Sequence, residues 1–402
     1  MRPAPITSPV TASSHRAAGS PAPAALLEVL AARHQGVRLD PAAPRPWAAI
    51  AAAAHAHDVE PLLYRVAADA GLAVPDPLGA HLRSRYYQTT ATNTWLLREL
   101  ASLAGSLVDH GIPVMLLKGA ALLLTVYEDM GLRMLGDVDL LVPPEHAATA
   151  MGVIQSHGYA LEVGNNELAD AGSAGIDPGP IIAFDGQVTL RRQTPPHAVV
   201  DLHWTLVDRP PYRHHLPMDL FWRAARPVRL GDAEVVTLSP EATVLHLCAH
   251  LALHHPDGRD LGLRWLLDVA EILAHEGGQL DWPTVLRLAQ ASDLVTSLQW
   301  VLPLVPPPGR VPMSVLDDVA ALAPSTYEQR AVAAIGAQRR GLLAEIGVVL
   351  AYTPGWSMRA RYLHAKLLPP PAYMRRRYSI RQPWQLPGYY LYRWLRALRR
   401  EG

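Results

Sequence analysis

Asp137 and Asp139 stand one residue apart in GDVDLLV, at the start of a run expected to be a strand. Side chains two apart on a strand point to the same face. Two carboxylates aimed together suit a hard divalent cation such as Mg²⁺, which takes oxygen ligands and fills its shell with substrate phosphates. A third carboxylate on a neighbouring strand would complete a two-metal site. Asp201 in AVVDLHW is the candidate, because an acid in the middle of a strand is costly unless partnered. Such ions can activate an attacking hydroxyl and stabilise the leaving oxygen of pyrophosphate. An isolated Asp-x-Asp also occurs in solvated turns and caps, so the surrounding residues decide its meaning.

Lys118-Gly119 falls at an expected strand-to-helix junction. Glycine there lets backbone amides approach a phosphate, and a helix N-terminus favours anions. Lys118 would add a charge to a triphosphate, or else snorkel at the edge of the core. Arg133 would supply a second phosphate contact, or pair at the surface with Glu128 or Asp129. His203 shares a strand face with Asp201 and could touch an acceptor, tune the carboxylate or shuttle a proton, against the alternative of a core histidine. Trp204 points the other way, towards the core. His246, His250 and His254 recur every four residues, a spacing open to zinc, but the glutamate of H-E-x-x-H is absent and a polar stripe at an interface is the plainer expectation. Arg264 and Asp268 lie one helical turn apart and are expected to pair, with phosphate or acceptor binding by Arg264 as the alternative.

These residues need elements to hold them. Apolar spacing of three and four predicts helices from 24 to 105. From 106 to 238 short apolar runs alternate with helical ones, the mark of an α/β core. IPVMLL, DVDLLV, YALEV and AVVDLHWTLV are expected strands. IIAFDGQVTLRR is expected to be a hairpin turning at Asp185-Gly186, and VRLGDAEVVTL another at Gly231-Asp232. Residues 165–180 are rich in Gly, Asp and Asn and are expected to form a mobile loop. From 239 to 358 the pattern is helical again, with Ser239 and Asp281 as expected N-caps. The 1–23 segment is expected to be a disordered leader rather than a signal peptide.

The chain has 402 residues, 36 Lys+Arg against 36 Asp+Glu, and one cysteine, Cys248. No intrachain disulfide or cysteine-based metal site can form, no run reaches the length of a bilayer span, and a reducing cytoplasm is the expected location. Charge is uneven: residues 359–402 hold eleven Lys/Arg and one acid. This tail, interleaved with Tyr and Trp, could bind RNA or another polyanion, or pack against the acidic remainder of the chain.

The order K-G-x-A-L, R-x-x-x-D-x-D-L-L-V, D-L-H-W and L-R-W-L-L-D resembles the uncharacterised bacterial nucleotidyltransferase-like family of the DNA polymerase β superfamily, over roughly residues 47–304. Related sequences sit among natural-product and lasso-peptide gene clusters. A more distant likeness is to AbiEii-type nucleotidyltransferase toxins. The resemblance implies an α+β fold whose α/β core has a mixed sheet, with helical regions on both sides. It implies that Asp137, Asp139 and Asp201 bind Mg²⁺. Lys118 and Gly119 stand where typical polymerase-β-like transferases have Gly-Ser, so Lys118 would take over the triphosphate contact. The expected activity is Mg²⁺-dependent transfer of a nucleoside monophosphate from an NTP, with ATP the expected donor, to a hydroxyl of a natural product, peptide or RNA. Lys118, Gly119, Arg133, His203 and Arg264 would line the nucleotide and acceptor site. Competing expectations are a nucleotide-binding scaffold without turnover and a toxin-like enzyme acting on tRNA.

Overall fold

The structure, a computed structural model, describes residues 21–33, 38–162, 179–254, 262–306, 309–338, 341–369 and 371–399. The expected leader, up to residue 20, and nearly all of the expected 165–180 loop lie outside the described residues. The chain is α+β, with a seven-stranded sheet between two groups of helices. The strands are β1 (Met115–Leu116), β2 (Val138–Leu141), β3 (Tyr159–Leu161), β4 (Gln187–Arg192), β5 (Val199–His203), β6 (Arg226–Leu230) and β7 (Ala233–Thr237). They run in the order β3-β4-β5-β2-β1-β7-β6. Pairs β2–β5 and β1–β7 are parallel and the others antiparallel, so the sheet is mixed.

The central strands are short and buried. IPVMLL yields only the two paired residues of β1, and every residue of β2 is buried. A strand covered on both faces has no reason to alternate polar and apolar residues; Leu140 and Leu141 are both fully buried, while Asp139 is a buried exception. The β6–β7 hairpin turns at Gly231, whose φ of +61° suits glycine.

The expected hairpin across 181–192 is corrected. Its first arm is part of a helix, Gly179–Phe184, and only the second arm is a strand, β4. A short apolar run such as IIAF fits either state by periodicity. Tertiary contacts favour the helix: the Trp204 indole N–H reaches the carbonyls of Ile182 and Asp185, at 3.1 and 2.8 Å. The two cap expectations hold. The Ser239 hydroxyl accepts from the Ala242 amide, and the Asp281 carboxylate from the Thr284 amide.

The 32-residue helix Leu78–Asp109 packs against β6 and β7. Helix Pro240–His254 is buried on nearly all sides, as a helix at the centre of a bundle must be, and packs against Leu263–Glu276, Trp282–Ala291 and Val295–Val301. One hydrophobic core runs from Leu26 through the sheet to Tyr362.

Candidate active site at the carboxylate cluster

β2 and β5 run parallel with Asp139 directly opposite Asp201. Like charges in register on neighbouring strands repel and need compensation. Compensation comes from two sides. Lys118 follows β1 in the chain, and its Nζ lies 2.7 Å from Asp139 Oδ1; His203 Nε2 lies 2.9 Å from the same oxygen. On the other side Thr189 of β4, in register with Asp201, donates to Asp201 Oδ1 at 2.6 Å. Burial pushes the Asp139 carboxyl up, but Lys118 and His203 outweigh it and hold it well below the usual carboxylate range. Lys118 reaches this position with a backbone φ of +44°, a left-handed conformation unusual for a residue with a side chain.

Asp137 precedes β2 and lies at the edge of the same cleft, where part of the residue reaches solvent. Its carboxyl is nonetheless raised, by desolvation against the cleft wall and then by the charges of Asp139 and Asp201. Ligand atoms of Asp139, Asp201 and His203 all lie within 4.8 Å of one another. The sheet therefore brings together Asp139, Asp201 and His203, with Asp137 at the margin of the cluster. Two carboxylates and an imidazole converging in this way, with a third carboxylate raised by their charge, fit a divalent cation.

The cleft, of about 360 Å³, is floored by the acids and roofed by the C-terminal helices, with His250, His254 and Trp265 on the helical side. Arg133 and Arg264 also line it. Arg133 is buried and makes a two-pronged pair with Asp268, Nε to Oδ1 and Nη2 to Oδ2, both at 2.8 Å. The Tyr127 hydroxyl donates to the same carboxylate at 2.9 Å. This corrects two expected pairings. Arg133 does not pair with Glu128 or Asp129, and Asp268 does not pair with Arg264, because Asp268 faces inward and is satisfied across the domain by Arg133 and Tyr127. Arg264 instead lies 3.4 Å from Asp58 and against the Trp265 ring.

Gly119 explains how closely these parts fit. A Cβ on it would come within 2.1 Å of Arg133 Nη1 and 2.7 Å of Leu135, so only glycine lets the Lys118–Leu122 helix pass the guanidinium. The segment entering β2 is braced from the long helix. Buried Asn93 donates to the carbonyls of Met130 and Arg133, both at 2.7 Å, and accepts from the Leu135 amide. Sequence reading did not single out Asn93, since a lone Asn inside a helix carries no local signal. It also passed over Asp208 and Arg209 on the cleft wall, where DRPP following D-L-H-W was the available cue. Arg213 holds Asp208 at 2.6 Å, and although burial raises that carboxyl, Arg213 brings it below its ordinary value.

The histidines of Pro240–His254 are not gathered as a metal site. Among the described residues the grouping of potential ligands is Asp139, Asp201 and His203. The His250 and His254 rings stack with centroids 4.9 Å apart. His246 is buried, and neither of its ring nitrogens has a hydrogen-bond partner. Trp204 is buried as expected.

No curated protein matches the sequence significantly. Among solved structures, the chain is similar to an antigenic nucleotidyltransferase-like protein from Paracoccidioides brasiliensis, at 16% identity and a TM-score of 0.30, over 51% of this chain and 92% of that one. Residues 43–306, more than half of the chain, match the family described as uncharacterised nucleotidyltransferase, and the chain belongs to that family.

Proposed function

We propose that the cleft transfers a nucleoside monophosphate from an NTP to a hydroxyl on an acceptor and releases pyrophosphate. The observation that carries this is the register of Asp139 against Asp201 on adjacent parallel strands, with His203 beside them and Asp137 at the cleft edge. Asp139 and Asp201 would hold a divalent cation, Mg²⁺ in the first instance, with Asp137 and His203 as the further donors. When bound, the cation neutralises charge on the phosphates and polarises the oxygens that gain charge.

The protein's own groups do the rest. In the proposed reaction an acceptor oxygen bonds to the α-phosphorus, the bond from that phosphorus to the α,β-bridging oxygen breaks, and the electron pair leaves with pyrophosphate. The hydroxyl proton passes to Asp201, whose Oδ1 is already oriented by Thr189. Lys118 would give up Asp139 once a cation supplies its charge and would turn to the triphosphate. Gly119 keeps the helix entry close to the same phosphates. Arg133 contributes through Asp268, holding the β2 approach against the helical roof. Arg264, His250 and Trp265, on the roof, would face the base or the acceptor. Catalysis of this kind is mostly positioning and charge stabilisation.

Nucleotidyl and phosphoryl transfer are separated by the position of the label. Incubation with an NTP labelled at the α-phosphate should leave label on an acceptor and liberate pyrophosphate, whereas label at the γ-phosphate should leave only as pyrophosphate. Transfer of the γ-label to the acceptor would make the protein a kinase and contradict the proposal.

A further inference from the structure

The C-terminal segment carries a surface that the carboxylate cleft does not use. From residue 346 to residue 400 there are eleven Arg or Lys and not one Asp or Glu. Three helices described there are Trp356–Leu367, Pro371–Arg377 and Leu386–Arg399. The last two enclose their own small core of Tyr373, Met374 and Ile380, separate from the main one. This hairpin is fixed to the preceding helix. The Trp394 indole N–H donates to the Leu367 carbonyl at 2.9 Å, the Arg393 guanidinium to the Lys366 carbonyl, and the Tyr390 hydroxyl to the Pro369 carbonyl.

What the hairpin buries is apolar, and the hairpin and the helix before it leave further apolar side chains outside. Trp356 is 83% exposed, Trp384 77%, Leu391 55% and Leu395 48%; Leu367, Leu368 and Tyr392 are exposed as well. Leu391 and Leu395, four apart on helix Leu386–Arg399, share one face of it, and exposed large apolar side chains concentrated in one segment mark an interaction site. Arg375, Arg377 and Arg381 are exposed on the same hairpin.

We propose that this hairpin docks the protein on an anionic phospholipid surface, lying in the headgroup boundary without crossing it. Charge complementarity selects an anionic partner, since the segment offers cations and no acid to repel it. The mixture of Trp and Leu with Arg selects a boundary that is apolar on one side and charged on the other. A single-stranded RNA would use the aromatic rings for stacking but has nothing to set against Leu367, Leu368, Leu391 and Leu395. No helix among the described residues is long and apolar enough to span a bilayer, in keeping with docking at the interface.

Co-sedimentation of the full chain with phosphatidylglycerol-containing vesicles, against pure phosphatidylcholine vesicles, tests this at physiological salt. The anionic vesicles should retain the protein about tenfold better or more. Trp384→Ser/Leu391→Ser/Leu395→Ser changes exposed positions only, so it should keep the circular dichroism of the wild type and lose about as much binding. Arg375→Ala/Arg377→Ala/Arg381→Ala, with the apolar face intact, should lose the preference for anionic lipid. Wild type left in the supernatant, equal retention by both vesicle types, or unchanged binding in either folded variant would overturn the proposal. So would retention of a single-stranded RNA, but not of vesicles, with the same dependence on Trp384, Leu391 and Leu395.

Discussion

At the scale of single residues the site is a problem of charge. Asp139 is buried with two cationic or protic partners on one oxygen, and Asp201 faces it across the sheet. Arg133 and Asp268 form a second buried pair, 7% and 0% exposed. Removing one member of such a pair leaves the other charged and unpaired, which costs about 3 to 5 kcal/mol, whereas replacing both by apolar residues costs much less. Arg133→Met and Asp268→Leu should each destabilise by that amount in urea unfolding, and the double variant should recover most of the loss; losses that simply add would contradict the pairing. The shared face of Asp201 and His203 on β5 was legible in sequence because strand alternation fixes it. The Arg133–Asp268 pair was not, because its members are 135 positions apart and no periodicity joins them.

Elements show the same division. The Pro240–His254 helix was readable from its cap and its apolar content, but its central place in the bundle, and hence the state of its histidines, was not. Burial, followed by the charge of Lys118, brings His246 down to about 3, and burial with the Arg209 charge brings His254 down to about 3. A histidine that stays neutral when folded, but takes a proton near pH 6.5 when unfolded, stabilises fully only above that value. Its contribution is lost as pH falls from 6.5 towards 3, at up to about 1.4 kcal/mol per pH unit. Urea unfolding between pH 7 and pH 5 should therefore show a shallower loss of stability for His246→Leu than for the wild type. The same slope in both would mean that His246 is protonated in the folded protein. The 181–184 run was misread as strand for a related reason: four apolar residues suit either state, and the deciding contact, the Trp204 indole, comes from another part of the chain.

Across the whole molecule, helix Leu263–Glu276 is the meeting point. It takes Arg33 from the N-terminal region on Glu271, Asp58 on Arg264, and Arg133 from the α/β core on Asp268. The C-terminal helical group thus closes over the sheet's carboxylates and makes the cleft, while the N-terminal group is tied to that helix by ion pairs. The order of helices, mixed sheet and helices could be read from apolar spacing. How the flanks meet could not, since it depends on ion pairs between distant segments. Charge is divided at this scale too, with a basic C-terminal segment on a chain of zero net charge.

The central claim is that Asp139 and Asp201 hold a divalent cation with an NTP. Calorimetric titration of each of the four NTPs, with and without Mg²⁺, into the wild type and into Asp139→Asn/Asp201→Asn tests it most directly, because the amides keep the shape and remove the charge. The account predicts binding that requires Mg²⁺ and disappears in the folded variant. Binding that persists in the variant, or none by folded wild type with any of the four, would contradict it.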